Sequence, residues 1–416
     1  MKPASADEHV KRSAQPRSAL QLLTGRDFGG FFWGRLLTAS AVYLHSVVAA
    51  IVVYGATGSA FAVALVPIAQ FAPQLLLALV AGAWADRGDV ARQIIFGRLL
   101  CTVGSGGLGL WLSVDDDATG RVLASVVVTA SLINGIGFVI GGPAMQSVTP
   151  LLVRRDELPT AMALNTAPMT VGRVVGPAVG AAMTQLTGPA QAFAVAAVGH
   201  LLFAGLMLII RIPDSDRPER GADESYSIAA ALRHVWHDRP LLLLIVVVTG
   251  LGFGSEPTAT LAPALAHDLG GGAGTVGALT SSFGAGAGLG IIVSSWMAPR
   301  VRHEVVVSVG IMLMAVCVVG CAAAITVALA MLAMAGAGGG FIIASSSAGT
   351  LIQLRVPDRL RGRVMALWMM GFVGARPVAA VISGAVADGL SLRAAWLVVA
   401  ACLVVIGAWC RPRALV

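Results

Sequence analysis

Apolar blocks alternate along this chain with short segments that hold nearly all of its arginine. Each block runs for roughly 20 residues, enough to cross about 30 Å of hydrocarbon as a helix. The pattern predicts twelve spans. The first six run roughly 28–54, 60–83, 93–113, 121–143, 161–184 and 190–211. The second six run roughly 240–265, 275–298, 304–322, 326–349, 364–386 and 392–410. The longest polar stretch lies between the sixth and seventh, contains PDSDRPERGADES and reads as a solvated linker. The expected organisation is a tail (1–26), a six-helix half (27–211), a linker (212–239), a second six-helix half (240–410) and a short tail (411–416). Residues 1–26 lack an apolar core, so they are read as a tail and not a signal peptide.

Composition agrees with an all-α membrane protein. Hydrophobic residues make up 57% of the chain and charged ones 12%, too little polar surface for a soluble domain of this size. Charge then sets the expected orientation. With the N-terminus inside, the inside segments hold Arg87 and Arg92, Arg154 and Arg155, Arg211 to Arg239, Arg300 and Arg302, Arg355 to Arg363, and Arg411 and Arg413. The outside loops hold only Arg121 and Arg393, beside Asp115, Asp116 and Asp117. Inside loops rich in arginine put both termini in the cytoplasm. The net charge of +7 is thus a topology signal and does not point to nucleic acid. The five cysteines fall inside spans without metal-ligand company, so neither a disulfide nor a metal site is expected, and nothing calls for a cofactor.

An internal repeat supports the division. VRRDELPTAMAL from Val153 aligns with VPDRLRGRVMAL from Val356, an offset of 203 that also brings Arg173 onto Arg376. Two parallel halves about a membrane-normal axis is a transporter architecture, with its site at midplane between them.

Ionisable residues inside hydrocarbon are the leading functional candidates, because each is unfavourable unless paired or hydrated. Glu256 is the one acid well inside a span, in a stretch that Gly250, Gly252, Gly254 and Pro257 loosen. A carboxyl group there can cycle between protonated and ionised forms; the alternative is an acid in the outer headgroup region. His45 is the second proton-coupling candidate, against a hydrogen-bonded packing role. Arg35 binds an anionic part of substrate, pairs with an acid or snorkels. Arg173 and Arg376 lie near midplane, where their symmetric placement suits pairing across the seam between halves or contact with substrate. Arg98 is read as snorkelling and His200 as facing away from the cavity. The expected substrate surface also includes Tyr43, Asn134, Phe138, Phe253, Met334 and Phe341 on the first, fourth, seventh and tenth spans, a soft apolar lining with few directional groups.

Two further segments carry motifs. In AGAWADRGDVARQ, Gly82 permits close approach at a helix end and Asp86 can cap a neighbouring helix, while Arg87 and Arg92 hold the loop at the headgroups. An ordinary basic loop would place the same residues there. In the fifth span, Gly172, Gly176, Pro177 and Gly180 form a smooth face, and Gly284, Gly286, Gly288 and Gly290 of the eighth span are its expected partner in a tight seam.

The first motif resembles the loop signature of the major facilitator superfamily, and the second its antiporter glycine-proline pattern. Longer phrases, among them PAMQSVTPLLVRRDELPTAMALNTAPMTVGRVVGPAVG, are similar to the branch of enterobactin and macrolide exporters. The resemblance runs from about Phe28 to Trp409 and implies the major facilitator fold and export of a bulky, partly apolar compound in exchange for protons, by a monomer in the bacterial inner membrane. This sequence departs from that branch at Met145, where arginine is common beside Gln146, and in lacking an acid in the first span. An importer or uniporter of a metabolite on the same fold is the alternative, although a sugar site should be richer in amides and acids than these spans. No catalytic Ser/His/Asp set, His-Glu metal motif or phosphate-binding loop is found, so neither an enzyme nor a receptor is favoured.

Overall fold

The computed structural model describes residues 17–114, 120–213 and 228–415, except for the side chains at 79, 86, 87, 228–231, 358 and 359. Helices dominate, and no strand occurs among the described residues. The first half contains α1 (Arg26–Thr57), α2 (Ala60–Arg87), α3 (Val90–Val114), α4 (Gly120–Val148), α5 (Ala167–Leu186) and α6 (Pro189–Ile209). The second contains α7 (Arg239–Ser255), α8 (Ala273–Met297), α9 (His303–Ala323), α10 (Val327–Arg355), α11 (Asp358–Gly389) and α12 (Leu392–Trp409). Among the described residues, eleven stretches are long and apolar enough to cross a membrane. The remaining helix is α5, whose apolarity Arg173, three glycines and two prolines dilute.

Most expected ends fall within a few residues; α4 and α10 run on to Val148 and Arg355, α11 starts at Asp358, and two spans are interrupted. The predicted fifth span began at residue 161, but the chain forms a separate short helix, Leu158–Leu164, and breaks at Asn165 and Thr166 before α5. The predicted seventh span is broken twice. α7 stops at Ser255, Pro257–Thr260 forms a single turn, and Ala262–Asp268 completes the crossing. Pro257 and Pro263 each sit in a first turn, where the missing N–H does no harm, and each interrupts the preceding ladder.

Packing repeats from half to half. α1 packs on α5 and α6, α2 on α4, and α3 on α4 and α6. In the same way α7 packs on α11 and α12, α8 on α10, and α9 on α10 and α12. Every pair in the second half is its counterpart displaced by six helices. The seam between halves is made by α5 against α8 and by α2 against α11.

The two cores differ. The second half is filled by one apolar cluster that runs from Val235 to Leu415 and takes in Val47 and Ala60 from the other half. The first half holds two clusters, one around Phe28, Ile94 and Phe203, the other around Val48, Val127 and Phe193. Between them lies a buried polar layer that includes Thr38, His45, Arg98 and Ser105.

The chain is also docked earlier than expected. Residues 1–26 were read as a tail, yet Ser18 and Gln21 cap the helix Ala19–Thr24 and Leu22 is fully buried. The anchor is Glu157, a carboxylate that the basic loop VRRDEL concealed. Arg17 donates to it from its backbone N (3.1 Å), Nε (2.8 Å) and Nη2 (2.8 Å). Arg154 adds its backbone N (3.1 Å), its Nε (3.1 Å) and a contact from Nη2 (2.8 Å). The Arg17 guanidinium, helped by Arg154 and opposed by desolvation, holds the carboxyl well below its ordinary value of 4.5. A depressed carboxyl stabilises the fold above that value and stops doing so as pH falls through the lower one. The segment 17–25 should therefore stay protected from hydrogen exchange at neutral pH and loosen only below about 4.5. Glu157→Gln should speed its exchange at pH 7 by about tenfold, the factor that 1.4 kcal/mol of local stability supplies. Equal exchange in parent and variant would remove Glu157 as the anchor.

Candidate functional site

A cavity of about 560 Å³ lies between the halves, walled by α1, α2, α4 and α5 on one side and α8, α11 and the broken α7 on the other, with Arg98 of α3 behind. Its chemistry depends on two close helix approaches. On α7, a Cβ at Gly252 would stand 2.2 Å from the carbonyl oxygen of Phe372, so only glycine lets α11 come this near. One turn further along these two parallel helices stand Glu256 and Arg376. Arg376 Nε donates to Glu256 Oε2 at 2.7 Å, and Thr260 Oγ1 donates to Oε1 at 3.2 Å. Glu256 is 1% exposed and lies at the break between α7 and the next turn. The sequence left Glu256 between a proton-cycling carboxyl and an acid of the outer headgroup region; the structure makes it an ion-paired group on the cavity wall.

The first half repeats the arrangement. A Cβ at Gly172 or Gly176 would press on the α1 backbone at Ala39 and Ser40. That approach carries Arg173 to α1, where its Nε donates to Tyr43 Oη at 3.2 Å. Each symmetric arginine also reaches the opposite half. Arg376 lies over Phe71 of α2 at 3.8 Å from the ring centre. Arg173 lies over Phe283 of α8 (5.5 Å) and Phe341 of α10 (5.4 Å). Cation–ring contacts of this kind strengthen where water is excluded.

The glycine motifs are used differently from expectation. Gly172, Gly176 and Gly180 face α1, and Pro177 lines the cavity. Gly284 does meet the α5 backbone at Arg173, but Gly286 and Gly290 face α10, and Gly288 has only Thr170 near it, at 3.8 Å. The two glycine rows therefore do not interdigitate. Among the described residues nothing lies within 4 Å of a Cβ placed on Gly82, so no close approach is seen there. Arg92 pairs locally with Asp89 at 3.2 Å. The side chains of Asp86 and Arg87 lie outside the described residues.

Of the other expected lining residues, Arg35, Tyr43 and Phe138 reach the cavity. Asn134, Phe253, Met334 and Phe341 are not part of its wall. The reason for the last two is the α8–α10 contact, where a Cβ at Gly286 would stand 1.8 Å from the Ala335 carbonyl. α8 thereby covers α10, and Met334 is fully buried in the core. His45 is also behind the wall. Its Nδ1 lies 3.0 Å from Ser105 Oγ and its Nε2 3.1 Å from Ser131 Oγ. Ser131 gives its own proton to the Val127 carbonyl, so the network assigns the imidazole proton to Nε2 and leaves Nδ1 to accept from Ser105. Both nitrogens are satisfied, the packing alternative for this residue.

Three features escaped the sequence. Arg98 does not snorkel: it is fully buried, donates from Nη1 to Thr38 Oγ1 (2.9 Å) and from Nη2 to the Gly137 carbonyl (3.1 Å), and lines the cavity. Amides are present after all, as Gln70, Gln74 and Gln146. The third is a latch across the seam. Asp388, at the end of α11, accepts from Ser59 Oγ (2.5 Å), Ala60 N (2.8 Å) and Phe61 N (3.1 Å), capping α2 of the other half. Gly384 presses on Ala60 and Phe61 beside it, and the Tyr54 and His267 rings meet at 6.0 Å. Further along the same seam, a Cβ at Gly374 would stand 3.5 Å from Leu75.

Comparison with known proteins adds an independent line. A family profile described as transmembrane secretion effector matches residues 19–414. The enterobactin exporter EntS of Citrobacter koseri is 26% identical over 364 residues, covering 87% of this chain and 86% of that protein. EntS of Salmonella typhimurium gives the same identity and coverage. Among solved structures, a bacterial homologue of the human lysosomal transporter Spinster matches with a TM-score of 0.74 at 14% identity, over 95% of this chain and 97% of that one. A D-xylose–proton symporter matches with a TM-score of 0.69 at 16% identity, over 94% and 97%. At these identities the structural likeness shows the fold alone.

Proposed function

Because this chain belongs to the transmembrane secretion effector family, a group of major facilitator transporters, we propose that it exports a drug-like or siderophore-like small molecule in exchange for protons. The observation that carries the reading is the Glu256–Arg376 pair, a buried carboxylate inside the cavity whose partner also lies on a ring of the other half. Protonation of Glu256 removes the attraction that holds Arg376 and so acts on the α2–α11 seam. Binding and conformation are then linked through one group, which is what exchange by alternating access requires.

With the arginine-rich loops at the cytoplasm, the Asp388 latch lies outside and would hold the outer end shut while an exporter in a bacterial inner membrane takes up its cargo. Both termini are cytoplasmic, and a single chain supplies the whole cavity, in keeping with a monomer. Likeness to the enterobactin exporter supports the direction and the class of cargo. Uptake of a polar metabolite is the second reading, favoured by Gln70, Gln74 and Gln146 on the wall.

Cells expressing the chain, loaded with a panel that includes enterobactin and a macrolide, decide between the two. Export predicts lower accumulation of at least one compound, restored to the control level by a protonophore. Higher accumulation in expressing cells, with or without protonophore, would establish uptake instead.

A further inference from the structure

Four arginines line the cavity, Arg35, Arg98, Arg173 and Arg376, against the single carboxylate of Glu256. Arg376 takes that carboxylate. Arg173 rests among the rings of Tyr43, Phe283 and Phe341. Arg35 and Arg98 remain, and among the described residues no acid pairs with either. Arg35 is 8% exposed, donates to the neutral Asn165 Oδ1 and stacks on Phe31. Arg98 is fully buried with two neutral acceptors, and its Nε has no hydrogen-bond partner.

The two charges share one place. Thr38 follows Arg35 by three residues, hence on the same face of α1. It is Thr38 that accepts from Arg98, and the two guanidinium groups repel each other. The remaining titratable neighbours are the buried thiol of Cys101, which donates to the Asn134 carbonyl, and His200, whose Nδ1 lies 2.6 Å from Thr38 Oγ1. The Thr38 hydroxyl accepts from Arg98 and gives its proton to His200, so the imidazole is neutral and supplies no counter-charge. Cations without an acid beside them in an apolar interior are strongly unfavourable unless an anion or water reaches them. Both links of Arg98, to Thr38 of α1 and to the Gly137 carbonyl of α4, are to neutral groups.

We propose that Arg35 and Arg98 form an anion subsite of the cavity, which takes a carboxylate, sulfonate or phosphate group carried on an apolar body. The proposal rests on the reading of this cavity as the transport site and names the chemistry of its cargo. Arg35, at the wall, makes the contact, and its planar fork suits two oxygens of one anionic group. Arg98, behind it, contributes field. The aromatic ring of Phe138 and the soft side chain of Met145, both on the same wall, receive the apolar body.

The test is binding to the full-length chain in phosphatidylcholine nanodiscs with no gradient, using 1-pyrenebutyrate and its neutral counterpart 1-pyrenebutanol. The parent should prefer the anion by about tenfold or more, the effect of a charge-assisted pair in a desolvated site. Arg35→Gln should bring the two probes to near-equal affinity, and Arg35→Lys should keep part of the preference. Arg98→Gln should weaken the preference without reversing it. Binding of pyrenebutanol reports that each variant still forms the cavity; if Arg98→Gln fails to fold, the two Arg35 variants decide. Equal binding of both probes to the parent would overturn the proposal, as would an undiminished preference in Arg35→Gln. Replacing the lipid with phosphatidylglycerol identifies the source of the anion. Loss of the pyrenebutyrate preference there assigns the subsite to a lipid headgroup, and its persistence assigns it to a soluble cargo. Proton-driven export is not measured in this experiment, so its failure leaves the anion preference standing, and the reverse holds equally.

Discussion

Glu256→Gln should abolish efflux driven by a pH gradient while leaving ligand binding and downhill exchange measurable. Glutamine keeps the shape and the hydrogen-bonding capacity of a protonated carboxyl but cannot release a proton. It also leaves Arg376 without the anion that now sits 2.7 Å from its Nε. Neutralising one partner of a buried pair costs about 3–5 kcal/mol. At about 1.4 kcal/mol per factor of ten, a conformational equilibrium that depends on the pair moves by two orders of magnitude or more. The variant should thus favour the arrangement that the protonated parent adopts, at every pH. Proteoliposomes separate the two effects. With an imposed pH gradient the variant should show no uphill transport, and without one it should still exchange labelled for unlabelled cargo. Uphill transport at the parental rate would move proton coupling away from Glu256. His45, the other sequence candidate, is a poor second, since both of its nitrogens are occupied and it lies behind the cavity wall.

Asp388→Ala should open the opposite end of the cavity. Asp388 satisfies two backbone N–H groups of the first turn of α2 and the hydroxyl of its cap residue Ser59, and it does so from the other half of the molecule. A cap of this type is worth about 0.5–2 kcal/mol. Because this one crosses the seam, its loss acts on the equilibrium between open and closed far ends, not only on the helix. A shift of 1–2 kcal/mol changes the ratio of the two states by about 5–30-fold. Spin labels at the exposed positions Val122 and Ile325, in a background without native cysteine, report the separation of the halves at this end. The variant should populate a longer distance that the parent rarely visits, with little loss of expression. Superimposable distributions would reduce Asp388 to a local cap. The sequence offered Asp86 as a helix cap, and its side chain lies outside the described residues; Asp388 carried no signal in the sequence.

Hydropathy and arginine placement were enough for the spans, the two halves and the pseudo-repeat. The reason is that lipid imposes a length and an apolarity on every crossing helix, and both are written locally in the chain. Glu256 and the pair Arg173 and Arg376 were also visible, because an ionisable group in an apolar run stands out without any knowledge of its neighbours. What each of them touches was not visible. Glu256 and Arg376 are 120 residues apart, and their meeting depends on Gly252 lying against Phe372 one turn earlier. Arg98 was misjudged because its distance from a helix end suggests snorkelling, whereas the packing of α3 against α4 and α6 turns it inward.

Met334 and Phe341 illustrate the same limit. Both are apolar residues on a span expected to line the cavity, yet the glycines of α8 draw it over α10 and bury them. Glycine spacing announces that something packs closely; it does not say what. By itself the sequence determined that this chain crosses a membrane repeatedly, in two related halves, with a few charges held in the apolar interior. Only the tertiary structure decided which charges are paired, which three cavity arginines stand without an acid among the described residues, and where a latch crosses the seam. Those depend on contacts between helices far apart in the chain, and a hydrophobic pattern records that a face is buried without recording against which neighbour.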